Sequence, residues 1–303
     1  MTGAARGDTD MRLEGVLPPI PTPFAEDRVD EPAMRANVAR WMGTRVRGVV
    51  VLGSNGEAPL LDEGESDAAI EAARDAVPPD RLCLAGTGRE STVAAVRAAK
   101  RAAALGADAV LVRTPAYFRT LLTAAALTDH YRAVADASPV PVVLYNFTAL
   151  TGVTLPVEAV ARLAEHPNVV GMKESGSDLR FVTALIDATP DGFALMAGSA
   201  PVFYASLLVG AAGGILAVAS AVPDLCVELY DLVRAGRLDE ARAQQRRLTA
   251  LAGLVTSIHG VPGLKAALSH LGYTVGAPRP PLLPAGPAAV DEIRQALAAL
   301  ARP

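Results

Sequence analysis

The sequence predicts a closed (β/α)8 TIM barrel with a C-terminal helical appendage. Short β-branched runs recur about every thirty residues, and there are eight of them. Alanine-rich segments with apolar residues at three- and four-residue spacing lie between the runs, as amphipathic helices require. No break in composition interrupts the alternation, so the strands pair in parallel through right-handed crossovers. Eight such units favour a barrel of about 250 residues over an open doubly wound sheet. The chain has 303 residues, which leaves room for additional helices.

Strands are expected at 15–20, 48–52, 82–86, 109–113, 140–145, 169–173, 193–197 and 214–218. Helices are expected at 31–42, 63–76, 91–105 and 124–137. Ser91-Thr92 and Thr123 stand where N-caps belong, and Pro156 and Pro201 where first-turn prolines are tolerated. Helical patterns at 223–235, 238–256, 262–271 and 288–301 exceed one closing helix. The expected division is therefore a polar, disordered tail at 1–10, the barrel at 11–222 and helices packed on it at 223–303. The tail has no apolar core and does not read as a secretion signal. The apolar stretch 205–222 approaches the length of a membrane span, but Gly210, Gly213 and Gly214 split it into a helix and a strand.

The formal charge of -4 is spread along the chain, with no basic stripe, which argues against nucleic acid or an anionic membrane as partner. A small molecule is the expected ligand. Only Cys83 and Cys226 occur, too few for a disulfide framework or a zinc site, so no metal is expected. A reducing, cytoplasmic compartment fits that usage. Hydrophobic residues make up 51% of the chain and aromatics only 4%, so alanine, valine and leucine must build the core.

In a barrel the chemistry sits at the C-terminal ends of the strands. Lys173 ends the apolar run Asn168-Val169-Val170-Gly171-Met172-Lys173. An unpaired ammonium taken out of water costs several kcal/mol, so this lysine is paired, reaches solvent by snorkelling, or is functional. Other strand ends bring Gly53-Ser54-Asn55-Gly56-Glu57, Thr114-Pro115-Ala116-Tyr117, Tyr145-Asn146, Ser175, Gly198-Ser199 and Gly213-Gly214 to the same mouth. His130, His166, His259 and His270 fall on helices or adjacent loops. A lysine, two tyrosines and hydroxyls without His, Cys or a carboxylate cluster point to carbonyl chemistry through a Schiff base. Lysine in water titrates near 10.4, and an apolar interior is the environment that makes such an amine nucleophilic. Glu57 is expected to support a first helical turn, and Glu174 to point away from the lumen.

With these residues in order, the chain resembles the dihydrodipicolinate synthase and N-acetylneuraminate lyase family of class I, pyruvate-handling aldolases. The matching pieces are Gly53-Ser54-Asn55-Gly56-Glu57, Thr114-Pro115-x-Tyr117, Tyr145-Asn146 with Thr151-Gly152, Gly171-x-Lys173-Glu174-Ser175 and Gly213-Gly214, spread over nearly the whole chain. The resemblance implies that Lys173 forms an imine with a 2-oxo acid such as pyruvate. It further implies proton transfer by Tyr145, with Ser54 and Tyr117 completing a hydroxyl relay, and no separate cofactor. Ser54 and Asn55, at a glycine turn opening a helix, would hold the substrate's C1 carboxylate. Ser175, Gly198, Ser199 and Gly214 are further candidate substrate contacts, and Ser220 could also line the second half of the pocket. In this family the tyrosine matching Tyr117 comes from a neighbouring subunit, which implies a homo-oligomer, commonly a dimer of dimers.

Ser54-Asn55, Lys173-x-Ser175 and Ala197-Gly198-Ser199-Ala200 look most like the 4-hydroxy-2-oxoglutarate aldolases, which release pyruvate and glyoxylate. Leu150 stands where the synthases carry an arginine for aspartate semialdehyde, which weakens that alternative. Ala116, where many relatives have a second aromatic, and Phe147-Thr148 border the site and bear on the aldehyde partner. A non-enzymatic oxo-acid binding protein and a phosphate cup at Gly198-Ser199 and Gly213-Gly214 are rival readings; the cup would call for a nearby Lys or Arg and a short extra helix.

Overall fold

A computed structural model describes residues 11–300, so the predicted 1–10 tail lies outside the described residues. Eight parallel strands form the barrel: β1 Gly15–Leu17, β2 Gly48–Val51, β3 Leu82–Gly86, β4 Ala109–Arg113, β5 Val142–Asn146, β6 Val169–Glu174, β7 Ala194–Ala197 and β8 Gly213–Ile215. From β2 to β8 each pairs with the next, and β8 pairs with β1. Backbone bonds from Arg47 N to Val16 O, Val50 N to Pro18 O and Ile20 N to Val50 O close the remaining seam between β1 and β2.

The strand-linking helices are α1 Glu31–Met42, α2 Glu63–Ala76, α3 Thr92–Ala104, α4 Ala124–Ala137, α5 Val157–Ala164, α6 Leu179–Asp187 and α7 Phe203–Leu208. Local chemistry starts them where the sequence says. The Ser91 and Thr123 side chains accept from Ala94 N and Ala126 N, and Asp62 with Glu65 forms a reciprocal capping box on α2. The 205–222 stretch resolves into the end of α7, strand β8 and the 3-10 turn Ala217–Ser220. Among the described residues no helix is long and apolar enough to cross a membrane.

Alternation along the strands separates two apolar layers. Leu17, Val50, Leu84, Leu111, Val143 and Ile215 fill the lumen, while Val49, Val51, Val110 and Val112 face the helices. Four further helices follow the barrel: α8 Pro223–Arg234, α9 Leu238–Gly253, α10 Gly260–His270 and α11 Pro287–Leu300. The predicted 238–256 helix ends at Gly253 and widens into a π turn, Leu254–Ile258. Leu248, Leu251, Leu264 and Leu268 from these helices share one continuous core with the barrel's outer face. Polar ties fasten them: Gln245 donates to Ala200 O and accepts from Tyr204 N, and Asn37 and Arg40 of α1 donate to Thr274 O and Gly272 O. The antiparallel ribbon Phe24–Ala25 and Arg28–Val29 was not anticipated, because two-residue strands leave no period to read.

Candidate active site

Strand register assembles the site. Arg113 of β4 pairs with Tyr145 of β5, Tyr145 with Lys173 of β6, and Lys173 with Met196 of β7, so one layer of the barrel rim carries all four residues. Lys173 is 4% exposed, and its ammonium lies 4.4 Å from the centre of the Tyr145 ring. The ring's negative face stabilises a nearby cation, which answers the question of what hosts this charge. The Tyr145 hydroxyl is 3.2 Å from Ser54 Oγ. Tyr145 thus connects the lysine to the turn after β2. A small cleft opens to solvent here, and Ser54, Leu111, Arg113 and Tyr145 are among its walls.

The turn carrying Ser54 is held in a strained backbone. Leu52 and Glu57, on either side of it, take φ of 58° and 56°, values that cost a non-glycine residue of order 1 kcal/mol or more. Gly86 is what allows the Leu52 excursion, since a Cβ there would lie 1.8 Å from Leu52 O. The turn itself, Ser54–Gly56, is a single 3-10 turn. The turn does not itself open an α-helix: the left-handed Glu57 and a second 3-10 turn, Ala58–Leu60, follow it, and α2 begins at Glu63, where it was expected. An anion at Ser54 and Asn55 would meet the leading N–H groups of one short turn, without an α-helix dipole behind them.

Glu57 has a different task from the one anticipated. Its buried carboxylate lies 2.7 Å from the Lys265 ammonium of α10 and accepts the Arg279 N–H at 2.7 Å. Lys265 also donates to Ala277 O, and burial pushes its ammonium below the ordinary lysine value against the pull of Glu57. The C-terminal helices thereby grip the turn after β2. No local sequence signal marks this pair, which joins positions more than two hundred residues apart.

Glu174 points away from the lumen, as alternation requires. Its carboxylate accepts from Asn146 Nδ2 at 2.6 Å and from Gly176 N, and burial raises it above the ordinary carboxylate value against those bonds. Asn146 in turn accepts from Leu155 N at 2.9 Å. Ser175 and Ser199 stand half-buried at the ends of β6 and β7, and Ser175 packs over Gly198, where a Cβ would lie 2.1 Å from its Oγ. Gly214 is buried, and a Cβ there would meet Phe203 and Leu216, so it turns toward the helical layer and offers the lumen only backbone. Ser220 is buried and donates to Pro19 O.

Tyr117 stands apart from the Ser54–Tyr145 pair: it is 81% exposed, and its ring packs edge-on against Phe118. Glu90 holds this turn, accepting the N–H groups of Ala116 and Tyr117 while its carboxylate faces Arg113 at 2.9 Å. Burial works to raise the Glu90 carboxyl, and these three donors together hold it below its ordinary value. Arg113 and Glu90 escaped the sequence reading. The signal for Arg113 was available, since it ends an apolar strand just as Lys173 does.

Other nucleophiles lie elsewhere. His130 is buried against Thr92, and His166 and His259 face the surface carboxylates of Asp136 and Glu292. Burial pushes the Cys83 thiol up to about 12 and raises that of Cys226. Among the described residues no group of three His, Cys, Asp or Glu side chains is placed to hold a metal ion.

The fold agrees with what comparison with known proteins finds. The model of the dihydrodipicolinate synthetase family matches residues 12–300. A probable mitochondrial 4-hydroxy-2-oxoglutarate aldolase of Emericella nidulans is 37% identical over 279 residues, with 90% of each chain covered. A 4-hydroxy-tetrahydrodipicolinate synthase of Xanthomonas axonopodis is 39% identical over 275 residues, again with 90% of each covered. Among solved structures, the 4-hydroxy-tetrahydrodipicolinate synthase of Methylacidiphilum fumariolicum SolV superposes with a TM-score of 0.91 at 29% identity, over 95% of this chain and 96% of that one.

Proposed function

The chain belongs to the dihydrodipicolinate synthetase family and is a lyase, and on that premise we propose that it cleaves 4-hydroxy-2-oxoglutarate to pyruvate and glyoxylate through an imine on Lys173. The observation that carries the reading is the contact chain Lys173–Tyr145–Ser54, which sets an amine beside a phenol that is itself bonded to a hydroxyl.

Lys173 Nζ, as the free amine, adds to the C2 carbonyl, and once the carbinolamine hydroxyl takes up a proton and leaves as water, a protonated imine remains. Tyr145, relayed through Ser54, accepts the proton of the C4 hydroxyl. The C3–C4 bond breaks, its electrons flow into the imine to give an enamine, and glyoxylate departs. Protonation at C3 and hydrolysis of the imine release pyruvate and restore the amine. The imine is the electron sink, so the reaction calls for no cofactor. Ser54 and Asn55 hold the C1 carboxylate, with Ser175, Gly198, Ser199 and the Gly214 backbone bordering the rest of the substrate.

Tyr117 completes the relay in a neighbouring copy. Its exposure, with Phe118, Leu121 and Leu150 each more than 60% exposed, makes an apolar surface suited to a homo-oligomer, a dimer of dimers. Two buried free thiols suit a reducing, cytoplasmic compartment. A second reading, condensation of pyruvate with aspartate semialdehyde, is favoured by the synthase-named relatives at similar identity.

Borohydride reduction in the presence of pyruvate is expected to add a pyruvyl group to Lys173, and an unmodified Lys173 overturns the imine. Pyruvate release from 4-hydroxy-2-oxoglutarate, measured beside condensation with aspartate semialdehyde, separates the two readings. Faster condensation than cleavage would replace the aldolase by the synthase.

A further inference from the structure

Arg113 is the last residue of β4, and alternation puts it on the same face as Ala109 and Leu111, which line the lumen. It pairs in register with Tyr145 and walls the same cleft as Ser54 and Tyr145. A guanidinium at this depth is unusual, and the surrounding sequence makes room for it. A Cβ at Gly88 would lie 2.4 Å from Arg113 Cγ, so the glycine after β3 is what lets the arginine stem cross the rim. The guanidinium has five N–H donors. Nη1 donates to Thr114 O at 2.9 Å and Nη2 faces Glu90 at 2.9 Å, contacts that orient the planar fork, and the side chain keeps 22% of its surface exposed.

We propose that Arg113 receives a second carboxylate of the substrate, so that the site selects 2-oxo dicarboxylates over 2-oxo monocarboxylates. The assignment rests on the imine reading of Lys173. With Lys173 two strands away, roughly 10 Å at the backbone, and both side chains reaching inward, a ligand fixed at C2 by the lysine presents its far end toward the arginine. The turn at Ser54 and Asn55 takes the C1 carboxylate, and Arg113 is the cation at this rim layer left for the other. A planar guanidinium matches a carboxylate in a way that an apolar or hydroxyl wall cannot. The competing role is structural: Arg113 could do no more than brace Glu90, which holds the Thr114–Tyr117 turn.

The test traps imines on the full-length protein with borohydride, using 2-oxoglutarate and 2-oxopentanoate, which share a five-carbon chain and differ in the distal carboxylate. Adduct mass is followed against concentration. Wild-type protein is expected to half-saturate with 2-oxoglutarate at a concentration lower by about tenfold or more. In Arg113→Gln the two concentrations are expected to fall within about threefold of each other, while Arg113→Lys keeps part of the preference. A pyruvyl adduct in each variant shows that it is folded with a reactive lysine. The assignment is overturned if wild type shows no preference, or if the preference survives Arg113→Gln. It is also overturned if Glu90→Gln abolishes the preference together with pyruvate trapping, since the arginine would then be a brace. Absence of any adduct in wild type brings down the imine reading and this assignment with it.

Discussion

The ammonium of Lys173 lies 4.4 Å from the ring centre of Tyr145, its register partner on the neighbouring strand. The ring and the hydroxyl of that tyrosine do different things. The ring walls the cation and keeps water from it, while the hydroxyl, 3.2 Å from Ser54 Oγ, is the group able to move a proton.

Tyr145→Phe separates the two. The phenyl ring keeps the wall, so borohydride trapping of pyruvate on Lys173 is expected to persist. Turnover of a 4-hydroxy-2-oxo acid is expected to fall by about a hundredfold or more, the scale of a lost general acid–base group. Unchanged turnover would remove Tyr145 from proton transfer.

The Glu57–Lys265 pair supports the turn at Ser54 from below, with both side chains almost wholly out of solvent. Removing one partner strands the other charge, so Lys265→Met is expected to destabilise the fold by about 3–5 kcal/mol in urea unfolding. The double variant Glu57→Gln/Lys265→Met is expected to recover part of that loss. A double variant as unstable as the sum of the single ones would mean that the pair is not coupled.

Arg279 ties the segment after α10 to α2, donating to Glu65 at 2.6 and 2.7 Å. These bonds hold the Glu65 carboxyl below its ordinary 4.5 against partial burial. A depressed folded value means that the contribution is present above pH 4.5 and is lost as pH falls through the folded value. Glu65→Gln is therefore expected to lower stability by about 1 kcal/mol at pH 7, screened as a partly exposed pair is. The difference between the two proteins should close as pH falls below 4.5. A gap that is constant with pH would assign the effect to the α2 capping box instead of the ion pair.

Much of the architecture was readable from periodicity. The helices expected at 31–42, 63–76 and 124–137 appear with those bounds, and each of the eight strands lies at its expected place to within a few residues. Such elements are legible because each repeats its own pattern over neighbouring positions, two residues per strand turn and three or four per helix turn. Lys173 was legible for a related reason, as a charge that breaks an apolar run. Arg113 carried the same mark, but its Glu90 partner and the space left by Gly88 appear only when β3 and β4 stand side by side. The single 3-10 turn at Ser54–Gly56 was not legible, because the left-handed Glu57 that ends it is held by partners on α10 and the segment that follows it, more than two hundred positions away.

The chain's own periodicity and residue chemistry were enough for the barrel, the lysine and the tyrosine 28 positions before it. Folding in three dimensions added the contacts between distant residues: Ser54 beside Tyr145 across 91 positions, Glu57 beside Lys265, and Arg113 turned into the cleft. The reason is physical. A local pattern is dictated by the geometry of the backbone a few residues either way, whereas a contact between distant side chains depends on strand register and barrel closure, which no single segment encodes.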